Sequence, residues 1–193
     1  MALVRTSPPA STAVSLEEAR AYARVASGED DALLSLLLGS AVRRVEQATG
    51  RALLRQAWRE RRDGFEDPRR LSACATAFVL VRPPLISVDA VRLRSASGEE
   101  ADWPAEAYRV DPEADPGRLI ALTPFGFPRP DRPGGSVVIE FTTGYGDAPE
   151  HVPEPLREAV LRLTAAAYER GERDIGRASP PEDVARLVAP YRS

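Results

Sequence analysis

The sequence predicts an α+β fold. A helical core is formed by an N-terminal helical hairpin and C-terminal helices, and a mostly antiparallel β-rich block is inserted between them. Three observations predict it. Apolar residues recur at three- and four-residue spacing between residues 15 and 50 and again between 154 and 171, which is the period of a helix. Between residues 53 and 143 the period changes to two, as in strands with two distinct faces. Prolines and glycines punctuate that middle stretch and mark its turns.

Ser15-Leu16-Glu17-Glu18 opens the first helix as a capping box, in which the serine and the second glutamate satisfy the free amides of the helix start. A short helix through about Val25 follows. Ser27-Gly28-Glu29-Asp30 is a second start signal of the same kind. Leu34, Leu37, Leu38, Ala41, Val45 and Ala48 then form one apolar stripe, and Gly50 is the expected stop, because glycine tolerates the left-handed conformation at a helix end.

In the middle block, Leu54, Gln56, Trp58 and Glu60 fall on one face of a strand, and Arg55, Arg59 and Arg61 on the other. Ala77 to Val81 is a continuous apolar strand. Ile86 and Val88 alternate in one phase and Val91 and Leu93 in the other, which predicts a bulge near Asp89-Ala90. Tyr108 to Val110, Arg118 to Leu122 and Ser136 to Phe141 bring the total to about six strands.

Helical spacing returns with Leu156, Val160, Leu163 and Ala167, after a proline at position 155 in the first turn, where its missing amide costs nothing. The helix is expected to end near Gly171. A polar connector, RDIGRA, leads to a last short helix from Glu182 to about Val188, which Pro190 stops. The expected organisation is one compact domain plus a tail. Its parts are a flexible segment (1–14), the hairpin (15–50), the β-rich block (51–143), the long helix and connector (144–178), and a short helix with a docking tail (179–193).

Composition limits the function classes. At 193 residues the chain can bury a real core. Its single cysteine, Cys74, forbids an internal disulfide and any cysteine cluster for zinc or iron-sulfur. Lysine and asparagine are absent, so all 26 basic residues are arginine. The formal charge of -3 argues against a protein whose whole surface grips nucleic acid. The most apolar run, Ala32 to Val42, is far shorter than the roughly 20 residues a membrane helix needs. No secretory pattern follows Met1, so the chain is expected to stay soluble where it is made.

Thr142-Thr143-Gly144-Tyr145-Gly146-Asp147 superficially matches the carbonyl-lined filter of a potassium channel. With no membrane span, its glycines are read as a tight exit from strand to helix. A phosphate cradle is the functional alternative, but the Walker lysine is missing and Glu150, Glu154 and Glu158 crowd the helix start. His151, the only histidine, is the one candidate general base for a small hydrolase, without a Gly-x-Ser-x-Gly elbow beside it. It is read as a surface or capping residue, and Cys74 as a buried inert thiol. The acidic pairs Glu17-Glu18, Asp30-Asp31 and Glu99-Glu100 sit at helix starts or a turn, where dipole and solvation account for them. No metal, cofactor or catalytic residue is expected.

Arg51 to Arg70 is the one basic concentration, interleaved with Glu60, Asp63, Glu66 and Asp67. A DNA-binding patch is one interpretation, because arginine forks match phosphate oxygens. The other is a solvated strand face or an ion-pair seam between subunits.

Five motifs in order, ATGRALLRQAWR (48–59), RPPLISVDAVRL (82–93), YRVDPEADPGRL (108–119), the long run from Val137 to Glu172, and the terminal LVAPYR, together resemble the head-tail connector (adaptor) proteins of long-tailed bacteriophages and gene transfer agents. The resemblance runs from Ser15 to the end and includes the TTGYG turn. It implies a structural role without catalysis, in a particle assembled from a bacterial cytoplasm. Such proteins form a ring, expected to be twelve-fold, beneath the portal, and join it to the stopper and tail around a channel that DNA crosses without sequence-specific binding. The C-terminal segment would reach the portal. On this sequence that implies Val184, Leu187, Val188, Pro190, Tyr191 and Arg192 as portal-binding residues. For the contact between copies, Arg55, Arg59 and Arg61 are the expected seam, facing acidic loops such as Gly98-Glu99-Glu100 or Asp111 to Asp115.

Overall fold

The computed structural model describes residues 1–26, 28–65, 77–95, 97–124, 126–128, 136–170 and 181–192. The chain divides into two compact units, one made of Met1–Pro8 and Arg55–Gly144, the other of Pro9–Leu54 and Tyr145–Ser193. Neither is a continuous piece of sequence.

The helical unit contains α1 (Leu16–Ala23), α2 (Asp31–Thr49), α3 (Glu154–Arg170) and α4 (Glu182–Val188). The capping box forms as expected: the Ser15 hydroxyl accepts the Glu18 amide, and the Glu18 carboxylate accepts the Ser15 amide at 2.8 Å. The second start differs. Gly28–Asp30 is a single 3-10 turn and Asp30 makes no side-chain cap bond, while Ser27 lies outside the described residues. Gly50 ends α2 at φ 75°, donating to the Glu46 carbonyl. The stripe of α2 (Leu34, Leu38, Ala41, Val45) meets Leu156, Ala159, Val160 and Leu163 of α3 in one apolar core. Each fully buried leucine there contributes roughly 1.5–3 kcal/mol relative to exposure. The expected stop at Gly171 and the RDIGRA connector lie outside the described residues.

The β unit holds two antiparallel sheets. The five-stranded one runs β1 (Ala2–Ser7), β2 (Gln56–Arg62), β8 (Val137–Thr143), β4 (Leu85–Arg94), β5 (Glu100–Asp102). The three-stranded one runs β3 (Ala77–Val79), β7 (Arg118–Ala121), β6 (Tyr108–Asp111). β8 is central and reads as a near-continuous apolar run, Val137, Val138, Ile139 and Phe141 all being buried. The expected bulge is present, the β4–β8 register shifting between Val88 and Ala90. Between the sheets' apolar faces, Phe65 stacks on Phe127 with ring centroids 4.5 Å apart and Trp103 on Tyr108 at 5.1 Å.

Three expectations need correction. The segment expected to be flexible carries β1, because Leu3, Val4 and Thr6 suit an extended edge and β2 offers it a free ladder. β5 was not anticipated; EAD has weak strand propensity and forms because the turn at Ser95–Gly98 returns it to Arg92–Arg94. The grouping of segments also differs: Met1–Pro8 belongs with Arg55–Gly144, whose strands share one core, and Pro9–Leu54 with Tyr145–Ser193.

Candidate interaction surfaces

The C-terminal segment is packed against its own unit. Val184 and Val188 are buried in the helical core, with Tyr191 packed partly against it. Leu187 is half-buried, and Pro190 and Arg192 are exposed. A 3-10 turn, Ala189–Tyr191, continues α4 where proline was expected only to stop it. Two polar ties hold the segment. Buried Arg51 donates from Nε to the Tyr191 carbonyl at 2.6 Å, and Arg162 on α3 donates to Asp183 at 2.7 Å while also pairing with Glu158. The Arg162 hydrogen bond holds the Asp183 carboxyl below its ordinary range, and the guanidinium is correspondingly pushed up. Neither tie is visible as a sequence motif, since the partners are 21 and 140 residues apart.

Elsewhere in the helical unit, Arg157 bonds Glu18, and the Tyr168 hydroxyl donates to Asp30 at 2.6 Å. The Ser15 amide, above all, lowers the Glu18 pKa. The bond to Asp30 raises that of Tyr168.

The three seam arginines separate. Arg59 donates twice to Glu140, which Arg92 also reaches at 3.1 Å. The Arg59 hydrogen bond, more than any other factor, holds the Glu140 carboxyl low. Arg61 lies 3.7 Å from Glu100, a member of one proposed partner loop. Arg55 is exposed and lies outside β2. In the other loop, Asp111 accepts from Arg118 at 2.9 Å. Thus acids expected across a seam are paired within the chain.

The described members of the basic run fall in both units. Arg51 is in the helical unit, Arg62 pairs with Glu60, and Arg69 and Arg70 are outside the described residues. Glu60 was expected on the Trp58 face and is there, 1% exposed. One oxygen takes the Arg62 guanidinium and the other has no hydrogen-bond partner among the described residues. Burial pushes its pKa up. Arg62 also lies over the Phe78 ring, 4.5 Å from its centroid.

The TTGYGD turn is structural. The Gly144 amide donates to the Pro84 carbonyl at 2.9 Å. At Gly146 (φ 156°) a Cβ would stand 2.3 Å from His151 Nδ1. That nitrogen accepts the Ala148 amide at 3.3 Å on an exposed turn, the capping role expected of it. Cys74 lies outside the described residues. Among the described residues no cluster of three or more His, Cys, Asp or Glu could hold a metal, and no helix is long and apolar enough to cross a membrane.

The described charges are largely paired within the chain, and the C-terminal segment is packed on its own unit. Solved structures match over the whole chain. The neck of an empty gene transfer agent particle computed with C6 symmetry aligns at TM-score 0.81 and 28% identity, covering 100% of this chain and 96% of that one. The virion of a native gene transfer agent particle aligns at 0.79 and 29%, with the same coverage. The neck of the native particle computed with C12 symmetry aligns at 0.76 and 29%, again with the same coverage. No family model matches, and no curated protein gives a significant match. These likenesses support the resemblance drawn from the sequence, a virion structural component at the neck of the particle.

Proposed function

We propose that this chain is the subunit of a ring, twelve-fold in symmetry, that joins the portal of a DNA-filled head to the stopper and tail. The observation that carries this is the whole-length likeness to gene transfer agent neck structures, one of them computed with C12 symmetry. Charge supports a channel role. The β unit has 14 arginines and 14 acids, whereas the helical unit has 12 arginines and 15 acids. A helical wall of net negative charge lowers the salt-dependent affinity that would otherwise hold DNA in transit.

The C-terminal segment is the proposed portal contact. Pro190 and Arg192 are available on the folded chain, while Val184, Leu187, Val188 and Tyr191 reach a portal groove once α4 lifts from α3. Copies meet through Arg55, Arg59 and Arg61, with Arg59 and Arg61 exchanging their in-chain acids for a neighbour's. The test is a pull-down with negative-stain imaging of the cognate portal, using the full chain and one lacking Pro190 to Ser193. Ring-on-ring binding lost on truncation supports the proposal. Failure of the full chain to bind overturns it.

A further inference from the structure

Within the five-stranded sheet, β1 is an edge strand with little side-chain burial. Among the described residues it pairs on one side only, with β2, and sits at the sheet edge. Only Leu3 is half-buried; the other five residues are exposed, Val4 to 59%. Arg5 donates to Gln56 at 3.3 Å. The ladder is interrupted by a register shift between Arg5 and Ser7. A strand bound mainly through its backbone, with little apolar burial, is the part of a sheet that opens at least cost.

The place it fills is costly to leave bare. Leu3 lies opposite Glu60, and Arg5 lies opposite Trp58. Glu60 and Gln56 are 1% and 2% exposed. Removing β1 uncovers these polar groups and the whole free ladder of β2. The slot therefore demands a strand with an apolar residue facing Glu60 and a cation within reach of Gln56. Ala2–Ser7 meets that demand, and every other copy of this chain carries the same segment.

The tether suits exchange. The boundary between the units falls between Pro8 and Pro9. Each proline holds the residue before it extended, so the chain leaves β1 straight. The next anchors are Ser11, whose hydroxyl donates to the Asp147 carbonyl at 3.0 Å, and buried Ala13 and Val14. Pro8, Pro9 and Ala10 span about 9 Å at the extended rise per residue, and short hinges favour swapping over refolding in place.

We propose that β1 is exchanged in the assembled ring: Ala2–Ser7 of each copy lies on β2 of its neighbour, so that each subunit donates one strand and receives one. This rests on the ring function proposed above. Exchange makes a heterologous contact that closes around the ring from contacts each chain already has, and the neighbour's high local concentration lets it compete with the chain's own strand.

The test uses the register pair Ser7 and Ala57. In a C74S background, chains carrying S7C alone are mixed with chains carrying A57C alone, assembled on the cognate portal and oxidised. The expected result is covalent dimers between the two variants in rings and none in the unassembled mixture. A chain carrying both S7C and A57C shows that the pair closes. Rings that form normally yet yield no mixed dimer overturn strand exchange and leave the connector function standing. Absence of any ring overturns both.

Discussion

Replacing Glu60 and Arg62 together by methionine removes an ion pair from the interior of the β unit. The Glu60 side chain has no exposed surface and the Arg62 side chain 14%. One carboxylate oxygen has no partner among the described residues, a deficit of about 1–3 kcal/mol. Against this stand the pair itself and the contact of Arg62 with Phe78, which contributes about 0.5–2 kcal/mol. Buried pairs of this kind cost more to desolvate than their attraction returns, and apolar replacements of similar volume are often 1–4 kcal/mol more stable. The double variant is therefore expected to be about 1–3 kcal/mol more stable, and E60M alone about 2–3 kcal/mol less stable because Arg62 is stranded. Both tryptophans, Trp58 and Trp103, belong to the β unit. Urea unfolding followed by tryptophan fluorescence thus reports that unit, and a change of 2 kcal/mol moves its midpoint by about 1 M at a typical slope. A double variant no more stable than the parent refutes the claim that the pair is a net cost.

Three further outcomes follow from the geometry. G146A, which brings a Cβ to 2.3 Å of His151, should destabilise the helical unit by about 1–3 kcal/mol, with partial rescue in G146A/H151A, both read by circular dichroism melting. R162A should speed amide exchange across 182–191 without altering tryptophan fluorescence; unchanged exchange would mean that apolar packing and the Arg51 bond to Tyr191 suffice to hold the segment. Because burial raises the Glu60 pKa, the folded state holds that proton at pH values where the unfolded chain has released it. The penalty is therefore absent below the ordinary carboxylate range, grows as pH rises from there to the raised value, and is complete above it. The stability of the parent relative to E60Q should accordingly improve as pH falls from the raised Glu60 value towards the ordinary carboxylate range, whereas Glu18 and Glu140, whose pKa values are lowered, lose their stabilising effect as pH falls below that range.

Local signals in the sequence carried the elements they control. The Ser15 box, the α2 stripe, Gly50 and the bulge near Ala90 depend on residues a few positions apart, and each is found where expected. Strand pairing is different. β1 binds β2 across more than fifty residues, and nothing in ALVRTS distinguishes a paired edge from a loose terminus. The C-terminal segment shows the same limit: α4 was legible from its start signal and apolar residues, but its seat against α3 depends on Arg51 and Arg162. Arg59 and Arg61 were placed correctly on one face, yet their acids come from β8 and β5, whose positions no pattern around residue 59 encodes.

The central place of β8 also constrains how the chain is made. β2 and β4 both pair with β8 and not with each other, so a nascent chain that has emerged only as far as residue 136 carries β1 with β2 and β4 with β5 as two separate ladders, with no strand to join them. Their apolar faces stay open until Val137–Thr143 arrives, a window in which edge pairing between chains competes with folding. Synthesis stalled or truncated within that window should yield aggregates, whereas a chain ending after Thr143 already contains every strand of the β unit.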